Sequence, residues 1–368
     1  MAKPIAARSF LGTLGLVFLA IAALLAVDTF LARTERTETR VEAARLFEQG
    51  RVSMQRGEDE KAIETLKDAI SIERGNRDYL LTLAQAQSGA GKTADAELTL
   101  AELLQRDSTD GPACLSLARV LVKEGRYSEA ISYFHRAIYG RWNKDAAEYR
   151  LRARFELIDL LAQRNSQEEL LAELLPVQDQ PPLDLKARIR IGQLFLLAGS
   201  PARATDVFRG ILNDAPGNAE AYAGLGQAEF VRGNYGAARQ EFQTALRLAP
   251  DDQATRRRLD LCNELLMLDP TMRGLSPMER FRRSLKLVEL TLDDTRQCTG
   301  QNPSPELKEL FDKGEKALKA YVGAARQSEV SESNLDLAEQ LWQTRKKECK
   351  SPPSSDSPFA LVLARLAR

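Results

Sequence analysis

Residues 219–252 read AEAYAGLGQAEFVRGNYGAARQEFQTALRLAPDD, and the spacing inside this stretch decides the fold. Tyr222, Leu225 and Gly226 belong to one predicted helix, and Ala238, Phe242 and Ala245 to a second, with Gly233 at the turn between them. Small residues at Gly226 and Ala238 let the two helices approach closely, and Phe242 fills the remaining space. Pro250 closes the unit, because proline donates no backbone hydrogen bond and clashes with the preceding turn.

The same signature recurs on both sides. It reads Gly57-Ala62-Leu66-Ala69, Gly91-Ala96-Leu100-Leu103 and Gly125-Ala130-Phe134-Ala137, then Gly199-Ala204-Phe208-Ile211 and Gly233-Ala238-Phe242-Ala245. A degraded copy lies at Asn165-Leu170-Leu174, where the glycine is lost and about six extra residues are carried. The first three copies are 34 residues apart, and so are the last two. A fixed period of this length predicts a stack of helix pairs, each unable to bury its apolar face alone. The units start near Ala43, Arg77, Gly111, Asp145, Leu185, Ala219 and Gln253, and the seventh keeps only its first helix, with Leu259 and Leu261.

This pattern resembles the tetratricopeptide repeat (TPR) family: a large apolar residue, then leucine-glycine, alanine, phenylalanine, alanine and proline at set positions, over about residues 43–262. The resemblance implies an all-α, right-handed superhelical solenoid of about six to seven helix pairs, its concave face lined by first helices. Carried onto this sequence, the ninth positions of those helices are Arg51, Gln85, Arg119, Ala153, Gln193, Gln227 and Leu261. The fifth positions are Phe47, Leu81, Leu115, Tyr149, Ile189, Ala223 and Arg257. An apolar strip beside arginine and glutamine suits an extended peptide or a partner's helix. The candidate peptide groove is therefore Phe47, Arg51, Leu81, Gln85, Leu115, Arg119, Tyr149, Ile189, Gln193 and Gln227. The competing reading is that glutamine and arginine are simply good helix formers on a solvated face. Family members that hold chaperone tails use a lysine, asparagine and arginine clamp; here Phe47, Arg51, Thr82, Pro112 and Ser116 stand at those places, so no such binding is implied.

Composition excludes several functions. Lysine plus arginine and aspartate plus glutamate both count 52, which argues against a nucleic-acid partner. One histidine and four cysteines leave little for a metal site, and no cofactor is expected. Gly89-Ala90-Gly91-Lys92-Thr93 imitates the end of a phosphate loop, but Ala86 stands where the loop's first glycine is required and a helix precedes it. His135 reads as structural or surface, and the pairs Asp59-Glu60 and Glu168-Glu169 as solvated helix starts. No nucleophile, base and acid set has supporting context, so catalytic residues are none and the chain is expected not to be an enzyme.

The N-terminus differs in kind. An apolar run from Phe10 to Val27, extending to about Ala32, is long enough to span a bilayer, with Lys3 and Arg8 before it and Arg33, Arg36 and Arg40 after it. A secretory signal peptide ending near Leu24-Leu25-Ala26 is the competing reading. The expectation is a single-pass membrane protein anchored through residues 10–32, with its soluble part periplasmic or extracytoplasmic.

After Asp269-Pro270 the period stops. Ser276-Pro277-Met278-Glu279 starts a helix running to about Gln297, Ser304-Pro305-Glu306 one to about Gln327, and Ser331 or Ser333 one to about Lys347. These three would cap the array; a separate binding module is the alternative. Cys298 and Cys349 follow the first and third, a plausible disulfide, worth about 4 kcal/mol on the chain-entropy model and implying an oxidising compartment. Cys114 and Cys262 read as small core residues. The Ser/Pro-rich stretch 351–358 precedes apolar residues Phe359 to Leu366, for which docking back on the array is favoured over contact with a membrane or a partner.

The predicted organisation is a tail over 1–9, a transmembrane helix over 10–32, a helical linker over 33–42, the TPR array over 43–270, a helical cap over 271–348 and a largely disordered tail over 349–368. The expected function is a membrane-anchored scaffold for protein–protein interaction or complex assembly, holding a protein or peptide in its concave groove. The alternatives are a non-catalytic subunit of an envelope biosynthesis or export complex, and a cytoplasm-facing receptor.

Overall fold

The computed structural model describes residues 37–178, 184–300, 303–351 and 357–366. The chain divides into two compact units, residues 1–160 and 161–368. The described part of the first unit is all-α: α1 (37–55), α2 (Asp59–Ile72), α3 (Arg77–Gly89), α4 (Thr93–Arg106), α5 (Gly111–Lys123), α6 (Tyr127–Tyr139) and most of α7 (Ala146–Gln163). α1 already runs from residue 37, so the expected linker and the first repeat helix share one continuous helix.

The repeat turn has one construction throughout. In the first unit Gly91 takes φ +78°, and the Lys92 amide reaches back to the Gln87 carbonyl at 2.8 Å. This closes α3 with the 6→1 bond of a Schellman-type cap, and glycine enters the left-handed region at no steric cost. The loop-like Gly89–Thr93 segment is therefore a repeat turn, and Lys92 pairs with Glu60. In the second unit Asn165 replaces the glycine with φ 56°, and the Ser166 amide bonds the Leu161 carbonyl at 3.0 Å. Asparagine tolerates this conformation better than other non-glycine residues, which is how the degraded copy keeps its turn.

Five of the described first helices begin under an Asn or Asp cap. Asn76 accepts from the Asp78 and Tyr79 amides, and Asp110 from Ala113. In the second unit Asp184, Asn218 and Asp252 do the same for α9, α11 and α13. Packing follows the small–large rule: an added Cβ at Gly50 would stand 2.7 Å from Leu66, and one at Gly226 would stand 2.7 Å from Phe242. Leu66, Leu100 and Phe134 are buried in successive second helices.

The second unit holds the end of α7, then α8 (Gln167–Gln178), α9 (Leu185–Leu197), α10 (Pro201–Asp214), α11 (Ala219–Val231), α12 (Tyr235–Leu248) and α13 (Gln253–Leu268). Beyond the repeats come α14 (Pro277–Thr299), α15 (Pro305–Lys319), α16 (Gln327–Glu348) and α17 (Pro358–Leu366). One apolar core runs from Phe230 and Phe242 through Cys262 and Leu265 into Leu287, Leu292, Leu341 and Trp342. Asn334 donates to the buried Ser284 hydroxyl at 3.2 Å, and Arg345 pairs with Asp294. Cys298 and Cys349 are disulfide-bonded, with Cα atoms 5.8 Å apart. Cys114 and Cys262 are buried free thiols, and burial pushes each up to about 11.

Several expectations change. The helix expected from Ser304 to about Gln327 stops at Lys319, and α16 begins at Gln327, ahead of Ser331. Ala320 takes an extended conformation (ψ 129°), and Gly323 follows within the break, so the chain leaves the helix there. The tail expected to be largely disordered contains α17, because Phe359, Val362 and Leu363 share a face that buries itself. Arg365 fastens it, pairing with the buried Asp269 and donating to the Thr271 hydroxyl at 2.9 Å.

The membrane expectation is also corrected. The proposed span over 10–32 lies outside the described residues, and among the described residues no helix is long and apolar enough to cross a membrane. Even the 23-residue α14 carries charge along its length, including Arg282, Arg283, Lys286 and Glu289. The single-pass placement, and the periplasmic or extracytoplasmic placement that depended on it, are therefore withdrawn.

Candidate functional site

In the first unit, four of the seven candidate groove residues meet. Gln85, Leu115, Arg119 and Tyr149 line one open cleft of about 430 Å³. The elements that place them are α3, α5 and α7, all first helices of repeats. Leu115 is buried at 5% exposure, Gln85 is exposed, and Tyr149 is 37% exposed. Arg119 is gripped by Glu156 through two bonds, Nε to Oε2 at 2.8 Å and Nη2 to Oε1 at 2.6 Å. That carboxylate raises the arginine's pKa above its ordinary value and fixes the guanidinium at the cleft edge.

The remaining candidates of this unit serve elsewhere. Phe47 is half-buried and stacks on Tyr79 with ring centroids 4.7 Å apart, so it builds core rather than groove. Arg51 pairs with Glu48 within α1 at 3.0 Å, and Leu81 is half-buried. In the second unit Ile189 is buried, Gln227 is half-buried, and Gln193 donates to Glu220 at 3.2 Å.

Sequence reasoning missed the cleft's aromatic pair and its exposed cations. The α6–α7 connection, residues 140–145, is longer than the connections over 73–76 and 107–110. Its Trp142 donates Nε1–H to the Ala137 carbonyl at 2.8 Å and lies parallel to Tyr149, centroids 5.1 Å apart and planes 4° from coincidence. Gly111 makes room, since a Cβ there would meet the indole nitrogen at 2.4 Å. The loop is pinned by bonds from the Arg141 amide to the Thr109 carbonyl at 2.7 Å and from the Gly111 amide to the Arg141 carbonyl at 3.0 Å. The two additional residues of this connection, with a tryptophan among them, were the available signal.

Lys144 and Arg152 stand on the cleft rim, both exposed. Arg77, also on the rim, is committed to Asp110, donating Nη2–H to Oδ1 at 2.8 Å, and the pair raises its pKa. The cleft thus offers a stacked aromatic pair, an apolar floor at Pro112 and Leu115, and positive charge, an arrangement suited to binding. Among the described residues no cluster of three or more His, Cys, Asp or Glu could hold a metal ion.

Two family models match the sequence. One, described as a tetratricopeptide repeat-like domain, covers residues 12–150, and the other, a tetratricopeptide repeat, covers 195–259. Among curated proteins no match was found. Similar solved structures include YrrB, described as a TPR protein with an unusual peptide-binding site, at 21% identity, covering 53% of this chain and 97% of that one, with a TM-score of 0.42. The C-terminal part of a TPR repeat-containing protein from Cytophaga hutchinsonii is 14% identical, covering 74% of this chain and 100% of that one, TM-score 0.46. The TPR2AB domain of yeast Sti1, in a complex with pHSP90, is 14% identical, covering 79% of this chain and 98% of that one, TM-score 0.32. None is similar enough to say what this chain binds. The two family models fall on the regular turns and capped helix pairs of both units, and over residues 12–150 and 195–259 the sequence is that of tetratricopeptide repeats.

Proposed function

We propose that this chain is a protein-interaction scaffold that holds a polypeptide segment in the cleft of its first unit, without catalysing a reaction. The observation that carries this reading is the meeting of Gln85, Leu115, Arg119 and Tyr149 in one cleft. Their positions follow from the repeat phase read through the family resemblance, and all four lie on first helices of repeats. Backbone amides and carbonyls of an extended segment would be met by Gln85 and Asn143, and its apolar side chains by Leu115 and the aromatic pair.

The test is selection of peptides from a random library on the immobilised full chain, repeated with Leu115→Glu. Selected peptides should bind the unaltered chain and lose at least about tenfold in affinity on the variant, because a buried charge spoils an apolar floor. Peptides that bind both proteins equally would place the interaction elsewhere and end this reading.

A further inference from the structure

The cleft's charge specifies its occupant more narrowly than the scaffold reading on which it rests. Two of its arginines are neutralised within the unit, Arg77 by Asp110 and Arg119 by Glu156. Lys144 and Arg152 have no ion-pair partner among the described residues, and both project from the rim where Trp142 and Tyr149 stack. The loop that carries Lys144 is held by three backbone and side-chain bonds, so the cation is delivered by a fixed element. Arg152 lies on α7 one turn beyond Tyr149, the neighbour spacing of a helix face.

We infer that the cleft takes an acidic, extended segment of a partner protein, in which an apolar side chain packs against the Trp142–Tyr149 stack and flanking carboxylates reach Lys144 and Arg152. The exposed surface of an aromatic stack accepts aliphatic or proline side chains, and carboxylates complete the two open cations. The cleft volume of about 430 Å³ is that of a short motif rather than a folded domain. A nucleic acid would use the same aromatic pair for stacking, but the two cations Lys144 and Arg152 are too few to follow a continuous phosphate chain. The chain's equal counts of 52 basic and 52 acidic residues supply no general attraction for one.

Fluorescence anisotropy with the full chain tests this, using a short blocked peptide of alternating glutamate and leucine. Parallel probes replace its glutamates by glutamine or by lysine, and another is a single-stranded oligonucleotide. The glutamate peptide should bind, more weakly as salt rises, and the glutamine peptide should bind several-fold less well. The double variant Lys144→Glu/Arg152→Glu should lose about tenfold for the glutamate peptide and gain affinity for the lysine peptide. Both positions are exposed, so circular dichroism and melting should match the unaltered chain. Equal binding of glutamate and glutamine peptides, no binding of the glutamate peptide, insensitivity to the double variant, or preference for the oligonucleotide would each overturn the inference. The scaffold reading would still stand or fall on Leu115→Glu with library-selected peptides.

Discussion

The repeats and the helices that follow them solve the same packing problem by opposite means. In a repeat, each large residue faces a small one on the helix immediately before it, as Phe242 faces Gly226 and Leu66 faces Gly50. In α14–α17 one apolar core continues from the last repeats through four more helices, and its polar ties span long distances in sequence: Asn334 to Ser284, Arg345 to Asp294, and Arg365 to Asp269. Local pairing makes a unit that can be copied. Nonlocal pairing makes an end that cannot be extended, which is what a terminal cap requires.

That contrast can be attacked from either side. Phe242→Ala should cost the most, about 3–5 kcal/mol, because a fully buried ring leaves a cavity the helix pair cannot close; chemical denaturation measures it. A loss under about 1 kcal/mol would show that the repeat core is not the tight pairing described. On the cap side, Arg345→Met removes the cation from Asp294, whose partner is only 5% exposed, and should cost about 3 kcal/mol in the same assay. Gly226→Val should cost about 1–3 kcal/mol through overpacking against Phe242, with compensation by Phe242→Leu in the double variant. Asn76→Ala, which removes the α3 cap, should cost about 1 kcal/mol.

The smallest effect concerns pH. Bonds from Arg282 and Arg283 hold the Glu279 carboxyl down at about 2, against an ordinary 4.5. A depressed acid contributes its stability above the unfolded value and loses it as pH falls towards the folded one. The difference in melting temperature between the unaltered chain and Glu279→Gln should therefore be present at neutral pH and shrink as pH drops from 4.5 towards about 2.

Legibility followed the same division. Glycine, alanine and phenylalanine at constant phase revealed the array, since pairs such as Gly50 with Leu66 and Gly226 with Phe242 join adjacent helices. Four cleft residues were reached by the same phase together with the family resemblance. Phe47 was misplaced because the same register position turns inward against Tyr79 at that end of the described array. Trp142 was invisible to the period, being carried by a loop that departs from it, and α17 was hidden behind a Ser/Pro-rich stretch that reads as disorder. The Asn and Asp caps at 76, 110, 184, 218 and 252 were a second periodic signal that had gone unread.

Asp110 has a consequence for how the first unit comes apart. The same buried carboxylate starts α5 by accepting from Ala113 at 3.0 Å and anchors Arg77 at the start of α3, one repeat earlier. Opening one repeat therefore strips its neighbour of a counter-ion as well as of an apolar face. In a linear array this is a nearest-neighbour coupling, and it favours loss of adjacent repeats together over fraying one at a time. Amide exchange in α3 and α5 should then share a single opening free energy, with Asp110→Asn separating the two.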